Sequence, residues 1–494
     1  MVFSGRPSTA CHACRPKRLK CDRVQPGCTQ CWRKGVTCPG YRDPSALRVR
    51  DETCRIAHKA EKSKKLKASS LILPNDAVEK SLGCADLSTY WTCPIPRSAG
   101  TLLQESRAVA NTYFMTSYIV CSPFESYVPI IYRENPLIDD ALSAAISATS
   151  LAILGQRVGC SKYIDIARRE YSMALTRTNN SLADPESAIL DRTLAAVLVL
   201  GLFEAVVFAG GQSPTSWTAH TLGAMQLLYL RGKEQFKSNI AHKLFAQVSN
   251  NIRTSCIQRS VTIPPQFLAF HDEVKPLLDK NDFAMILAPI IDKVASLRAR
   301  TINDPNPKLL QEALDVDNDI VAFTNSLECG MQYTPRPQDE IPSWAYLQTA
   351  HRYPHIRIAK FWNAIRMIRM FLITFISDSV SGEMDLTMLS VPEDAGCKDD
   401  YIEYLRNYGL RCIAEVALEV LASVPDFIEP YEFNERFCPA GRTLVWPLSI
   451  LQKCPTCPKD ARDHALLYLD RLARDLNMPQ AVHPSRQPGS KEDW

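Results

Sequence analysis

Apolar positions recur along most of this chain with helical rather than strand spacing. The clearest stretch is 356–376, where Phe361, Ile365, Ile368, Leu372 and Phe375 step by four, three, four and three. Arg366 and Arg369 fall on the other side of that helix. ALSAAISATSLAIL (141–154), the apolar stretch 188–208 and AHTLGAMQLLYL (219–230) predict buried helices. Further helices are expected near 162–178, 240–258, 284–300, 308–326, 400–422 and 460–476. Pro264-Pro265, Asp304-Pro305-Asn306-Pro307 and Pro335-Arg336-Pro337 punctuate them. Alternating β-branched runs are scarce. The pattern predicts an all-α body of roughly ten or more helices, spanning residues 106–477 and followed by a polar tail at 478–494. Residues 68–105 carry Pro, Ser and Thr without firm periodicity and read as linker.

Composition supports a large core, since 46% of the 494 residues are hydrophobic and only 22% charged. The net charge of +4 hides an asymmetry. Residues 1–70 hold 17 Lys/Arg against 5 Asp/Glu, and the remainder is net negative. A basic head on an acidic body points to a polyanionic partner for the head. MVFSGRPSTACHAC has no apolar segment of the signal-peptide kind. The longest apolar run, Ala195 to Gly211, is interrupted by Glu204 and too short to span a bilayer. Neither secretion nor membrane insertion is therefore expected, and a tight cysteine cluster in a reducing compartment reads as metal ligation.

Six of the 18 cysteines form such a cluster, at Cys11, Cys14, Cys21, Cys28, Cys31 and Cys38. They make two C-x2-C-x6-C halves repeated at an offset of 17. A C-x2-C pair at the start of a helical turn puts two sulfurs on one side of an ion. The third cysteine closes on the same ion from an extended segment. Each half then gives three thiolates, one short of the four that zinc takes tetrahedrally. The deficit closes if two cysteines are shared between two zinc ions. A RING or LIM site needs more ligands, and His12, adjacent to Cys11, is poorly placed to supply one. RPKRLK between Cys14 and Cys21 carries four positive charges, and WRKGVT between Cys31 and Cys38 carries two. Two zinc ions and six thiolates sum to about −2, so part of this charge neutralises the cluster. The rest can face phosphates and base edges.

The segment resembles the fungal Zn2Cys6 binuclear-cluster DNA-binding domain, a small module of two short helices. Arg15, Lys17, Arg18, Lys20 and Asp22 fall on the family's C-R-x-[RK]-[RK]-x-K-C-D stretch, and Pro26 matches its inter-half loop proline. The resemblance implies two Zn2+ ions per cluster with Cys11 and Cys28 as the bridging thiolates. It also implies that the first short helix enters the major groove at a CGG-type triplet. Lys17 and Arg18 match the base-contacting positions, and Arg15 and Lys20 complete the DNA-binding set. The family more often has Lys where this chain has Arg18, and Pro16 suits only the helix's first turn. The helical body resembles the fungal-specific transcription-factor regulatory domain in its helix pattern and domain order.

The expected organisation is a DNA-binding module at 1–44, a basic and then Ser/Thr/Pro-containing linker at 45–105, and the all-α regulatory domain at 106–477. Heptads after the cluster do not persist: Val49 and Ile56, then Leu66 and Leu73, are out of phase. Lys62, Lys64, Lys65 and Lys67 suit phosphate contacts or nuclear import. Gly211-Gln212-Ser213-Pro214-Thr215 only approaches a nucleophile elbow, and Cys454-Pro455-Thr456-Cys457 is a lone C-x2-C read as structural. His351, His355 and His464 read as ordinary surface or core residues, and Trp217, Trp344, Trp362 and Trp446 as core. PDFIEPYEFNERF (425–437) interleaves acids with aromatics, as coactivator-binding segments do, but reads better as a connection whose aromatics pack on the core. Together these features predict a nuclear, zinc-dependent, sequence-specific regulator of RNA polymerase II transcription, and not an enzyme. Its expected partners are double-stranded DNA, a second copy joined through the helical body, and transcription machinery or coactivators, with no membrane. The competing reading is an enzyme or small-molecule-sensing helical domain whose zinc module makes non-specific nucleic-acid or protein contacts.

Overall fold

The computed structural model describes residues 10–40, except 15, 16, 18, 23, 25 and 26. It also describes 99–474, except 135–139, 208–214, 280–281, 304–305, 383–388, 390, 392–396 and 430–439. The chain divides into two units, Met1–Pro94 and Ile95–Trp494. In the first, α1 (Thr29–Arg33) is the helix found among the described residues. It belongs to the second half-repeat. The matching stretch of the first half contains residues 15, 16 and 18, outside the described set.

The second unit is helical almost throughout. It runs α2 (Ala99–Tyr113), a π turn (Phe114–Tyr118), α3 (Val128–Glu134), α4 (Ala141–Val158), α5 (Ser161–Ala183) and the short α6 (Pro185–Ala188). Next come α7 (Asp191–Val207), α8 (Thr215–Arg231), α9 (Asn239–Arg259) and α10 (Pro265–Val274). Then α11 (Phe283–Asn303), α12 (Pro307–Asn325), α13 (Ile356–Ser381) and α14 (Lys398–Ile428) follow. The last pair is α15 (Val445–Lys453) and α16 (Lys459–Arg474). Between α12 and α13 the chain turns through 3-10 segments and a two-residue antiparallel bridge, β1 (Thr334–Pro335) with β2 (His351–Arg352).

Helix α4 shows how local sequence sets these elements. Asp140 caps its start by accepting from the Ser143 N–H at 2.9 Å. Gly159 ends it at φ +66, with the Cys160 N–H bonded to the Gly155 carbonyl at 2.8 Å. Gly155 also lets α5 approach, because a Cβ there would lie 2.9 Å from Ile164 Cδ1. Packed between α2, α5 and α7, α4 is buried nearly all round. It is also long and apolar enough to cross a membrane by length and composition, unlike the 195–211 run, yet 67% of it is buried in the body.

Several sequence expectations need correcting. Helix α2 begins at Ala99, inside the segment read as linker. Helix α14 continues beyond 422 through Pro425 to Ile428 and buries Phe427 and Ile428 in the core. The rest of the acidic–aromatic stretch, 430–437, lies outside the described residues, as do the elbow-like 211–214, the lysines at 62–67, the heptad positions and the 478–494 tail. Arg366 and Arg369 do lie off the apolar stripe of α13, and that side too meets other helices. Helix α13 packs against α11, α12, α14 and α15, so its polar side is enclosed as well. Arg366, 2% exposed, donates to Glu419 at 2.9 Å, Tyr353 OH at 2.7 Å and Asn363 Oδ1 at 2.9 Å. Arg369 pairs with the fully buried Asp317, whose other oxygen also accepts from Tyr408 OH.

Candidate zinc centre and DNA-facing surface

The cysteine repeat is a structural repeat. The Cys14 N–H donates to Cys11 Sγ at 3.4 Å, and 17 residues on the Cys31 N–H donates to Cys28 Sγ at 3.4 Å. The Leu19 N–H reaches the Cys14 carbonyl at 3.0 Å, and the Val36 N–H reaches the Cys31 carbonyl at 3.1 Å. Cys28 is thus the N-cap of α1, with its sulfur as the capping acceptor. Gly27 is required by close approach: a Cβ there would sit 2.9 Å from Cys38 Cβ.

Two interlocking sulfur sets result. Cys11, Cys14, Cys21 and Cys28 form one, and Cys11, Cys28, Cys31 and Cys38 the other, with all four Sγ atoms of each set within 4.8 Å of one another. Cys11 and Cys28 belong to both, at an Sγ–Sγ separation of 3.6 Å. The Cys11–Cys31 and Cys14–Cys28 separations are both 3.7 Å. A zinc ion with sulfurs at about 2.3 Å has a tetrahedral S–S edge of about 3.8 Å. The spacing therefore fits two tetrahedra sharing the Cys11–Cys28 edge, and the donor set is the soft one that zinc prefers.

Electrostatics point the same way. Burial, with Cys11 and Cys28 beside it, pushes the Cys14 thiol up to about 12. Cys31 is raised too, first by its contact with Cys28. Burial also raises Cys11, but hydrogen bonds led by the Cys14 N–H, with the Cys14 and Cys28 thiols, outweigh it and hold this thiol down at about 6. Thiols at this spacing oppose one another's ionisation, and a dication in each set supplies the missing counter-charge.

Around the sulfurs the surface is basic. Lys17 and Lys20 are exposed beside Cys14 and Cys21, as are Arg33 and Lys34 on the second half. Arg15 and Arg18 lie outside the described residues. Asp22, matched to the family stretch, works inward: it accepts from the Thr29 N–H at 3.1 Å and from the Thr29 hydroxyl. The Thr29 hydroxyl bond leads in holding its carboxyl below the usual carboxylate range. This bond ties the end of the first half to the start of α1. Trp32, 82% exposed between Cys31 and Arg33, is a surface aromatic that the spacing argument passed over.

In the second unit, no other group of potential metal ligands occurs among the described residues. Cys454 and Cys457 are buried in the turn joining α15 and α16. His355 caps α13 by accepting from the Arg357 N–H at 3.1 Å. His351 lies against Tyr333, and His464 against Tyr346. Trp362 packs in the core with its Nε1 on the Met331 carbonyl at 2.7 Å, and Trp344 and Trp446 flank it, but Trp217 lines a cavity.

Comparison with known proteins agrees with this geometry. Residues 9–48 match the fungal Zn(2)-Cys(6) binuclear cluster domain, and residues 115–269 match the fungal specific transcription factor domain. An uncharacterized protein of Emericella nidulans is 23% identical over 152 residues, covering 30% of this chain and 32% of that protein. No solved structure matches the chain.

Proposed function

We propose that this chain, a fungal transcription factor by its zinc-cluster and regulatory domains, reads CGG-type triplets in the major groove and regulates transcription by RNA polymerase II. The observation that carries the reading is the pair of four-sulfur sets sharing Cys11 and Cys28, at the edge length of a zinc tetrahedron. Two Zn2+ ions would be held by Cys11, Cys14, Cys21, Cys28, Cys31 and Cys38, with Cys11 and Cys28 bridging. Lys17 and Arg18 address base edges, and Arg15 and Lys20 complete the contact surface. The exposure of Lys17 and Lys20 beside the cluster supports this assignment.

The linker lysines Lys62, Lys64, Lys65 and Lys67 add phosphate contacts or direct nuclear import, and the protein acts in the nucleus. One short helix covers about three base pairs, so selective binding calls for a second head. The helical body is the proposed site of self-association and of contact with coactivators. Its role is regulatory, not enzymatic. Selection of bound duplexes from a random pool by the full zinc-loaded chain tests the reading: enrichment of paired CGG-type triplets is expected. Recovery of sequences without a common triplet would overturn it.

A further inference from the structure

The helical body holds a cavity of about 90 Å3 whose walls differ in chemistry. Helix α7 supplies an apolar wall through Val197, Leu198 and Leu202, joined by Phe124. The remaining walls are polar: Thr221 from α8, Gln247 and Asn251 one turn apart on α9, and Arg442 from the turn Ala440–Leu444. Gln247 is only 6% exposed, and its carbonyl accepts from Tyr127 OH at 2.7 Å. No described residue accepts from its amide nitrogen or bonds the Asn251 side chain, so these groups are left for an occupant.

Among the described residues of the lining, Arg442 is the formally charged one. Its Nη1 donates to Tyr118 OH at 2.8 Å, and no described carboxylate pairs with it. His220 adds no charge: it lies 3.2 Å from Tyr171 OH, and burial lowers its pKa to about 4. The partner of Arg442 is held in an unusual backbone. Tyr118 closes the π turn Phe114–Tyr118, and Cys121 just beyond it has φ +61 without being glycine. Such features concentrate where a side chain must be aimed.

A cavity whose described lining holds one guanidinium without a carboxylate partner, several spare hydrogen-bonding groups and one apolar wall selects an anion with a short hydrocarbon body. Its volume is below the ~150 Å3 that accommodates a six-membered ring, which limits the occupant to about four to six heavy atoms. We infer that this cavity binds a small organic carboxylate, its carboxylate on Arg442 and the amide donors, its hydrocarbon part on the α7 wall. Such a ligand would tie the turn at 440–444 to α7, α8 and α9 and give the regulatory domain a metabolite input.

Isothermal titration of the full zinc-loaded chain with butyrate and pyruvate tests this, with butyramide, pyruvamide and inorganic phosphate as comparison probes. Saturable binding of at least one carboxylate is expected, with its amide about tenfold weaker or worse. Arg442→Gln should lose about tenfold or more in affinity, whereas Arg442→Lys, which keeps a positive charge on the same wall, should recover most of that loss. If Arg442→Gln does not fold, Gln247→Glu, which still accepts from Tyr127 and places a like charge against the ligand, should abolish binding. The inference fails if the amides bind as well as the acids, or if phosphate alone binds. It also fails if no carboxylate binds up to about 10 mM, or if the charge variants bind like wild type.

Discussion

Removing Cys28 should disable both metal positions, whereas removing Cys38 should disable one. Cys28 Sγ lies in both four-sulfur sets; Cys38 lies only in the second, and Cys21 only in the first. Structural zinc binds with about 10–16 kcal/mol through four ligands, so each thiolate accounts for on the order of 3 kcal/mol. That is about two powers of ten in affinity per lost bond. Cys38→Ala leaves the set of Cys11, Cys14, Cys21 and Cys28 complete, so one ion stays tight. Cys28→Ala leaves two three-sulfur sets, each about a hundredfold weaker. It also removes the sulfur that accepts the Cys31 N–H at the start of α1, a cap worth about 1 kcal/mol. The assay is zinc content after challenge with a chromogenic chelator, on the purified full chain. Cys21→Ala and Cys38→Ala should retain one ion, Cys11→Ala and Cys28→Ala none, and wild type two. Equal zinc content in Cys28→Ala and Cys38→Ala would refute the shared-edge geometry.

Arg18→Ala should cost about 1–3 kcal/mol at one base pair and relax discrimination there, while Lys64→Ala with Lys65→Ala should weaken all sequences evenly and flatten the salt slope. Binding isotherms on matched and mismatched duplexes at two salt concentrations separate the two behaviours. Arg369→Leu strands the fully buried Asp317 without its guanidinium and should destabilise the body by about 3–5 kcal/mol in urea unfolding, most of it recovered when Asp317→Leu is added. Burial holds His220 at about 4 and His351 at about 3, so the unfolded chain takes up protons near pH 6.5 that the folded chain refuses. Stability of the body should therefore fall as pH drops from 6.5 towards 4, by up to about 1.4 kcal/mol per pH unit per histidine, and His220→Gln should flatten that slope in a melting-temperature profile.

The helices of the body were legible wherever apolar residues persist over several turns, all round as in α4 or along one stripe as in α13. The misses have specific causes. Pro264-Pro265 does mark a break, between α9 and α10, but helix α10 itself went unread, because Pro265 occupies its first turn, where a missing N–H costs nothing. Pro425 looks like an end for α14, but it forfeits a bond only near the C-terminus, and burial of Phe427 and Ile428 outweighs that loss. Arg366 and Arg369 kept helical period on a polar stripe, and period alone cannot say whether such a stripe meets water or the carboxylates of another helix. Glu419 and Asp317, which enclose these arginines, lie about fifty positions away in sequence.

The two candidate sites differ in legibility for the same reason. The zinc centre is local: six ligands fall within 28 residues, so their spacing marks the ligand set, while the family resemblance supplied which two sulfurs are shared. The cavity draws on residues from Phe124 to Arg442, and no local pattern brings them together. The head and body also differ in what holds them folded. Among the described residues, the buried cluster of the head is Ala10 with Cys11, Cys14, Cys28 and Cys31, too little apolar surface to offset chain entropy without metal. The body's core runs through every long helix from α2 to α16 and is apolar throughout. Stripping zinc should therefore abolish DNA recognition while leaving the regulatory domain, its buried ion pairs and its cavity intact. Metal supply and ligand occupancy would then act on this protein as independent inputs, one on whether it reads DNA and the other on the state of the domain that responds.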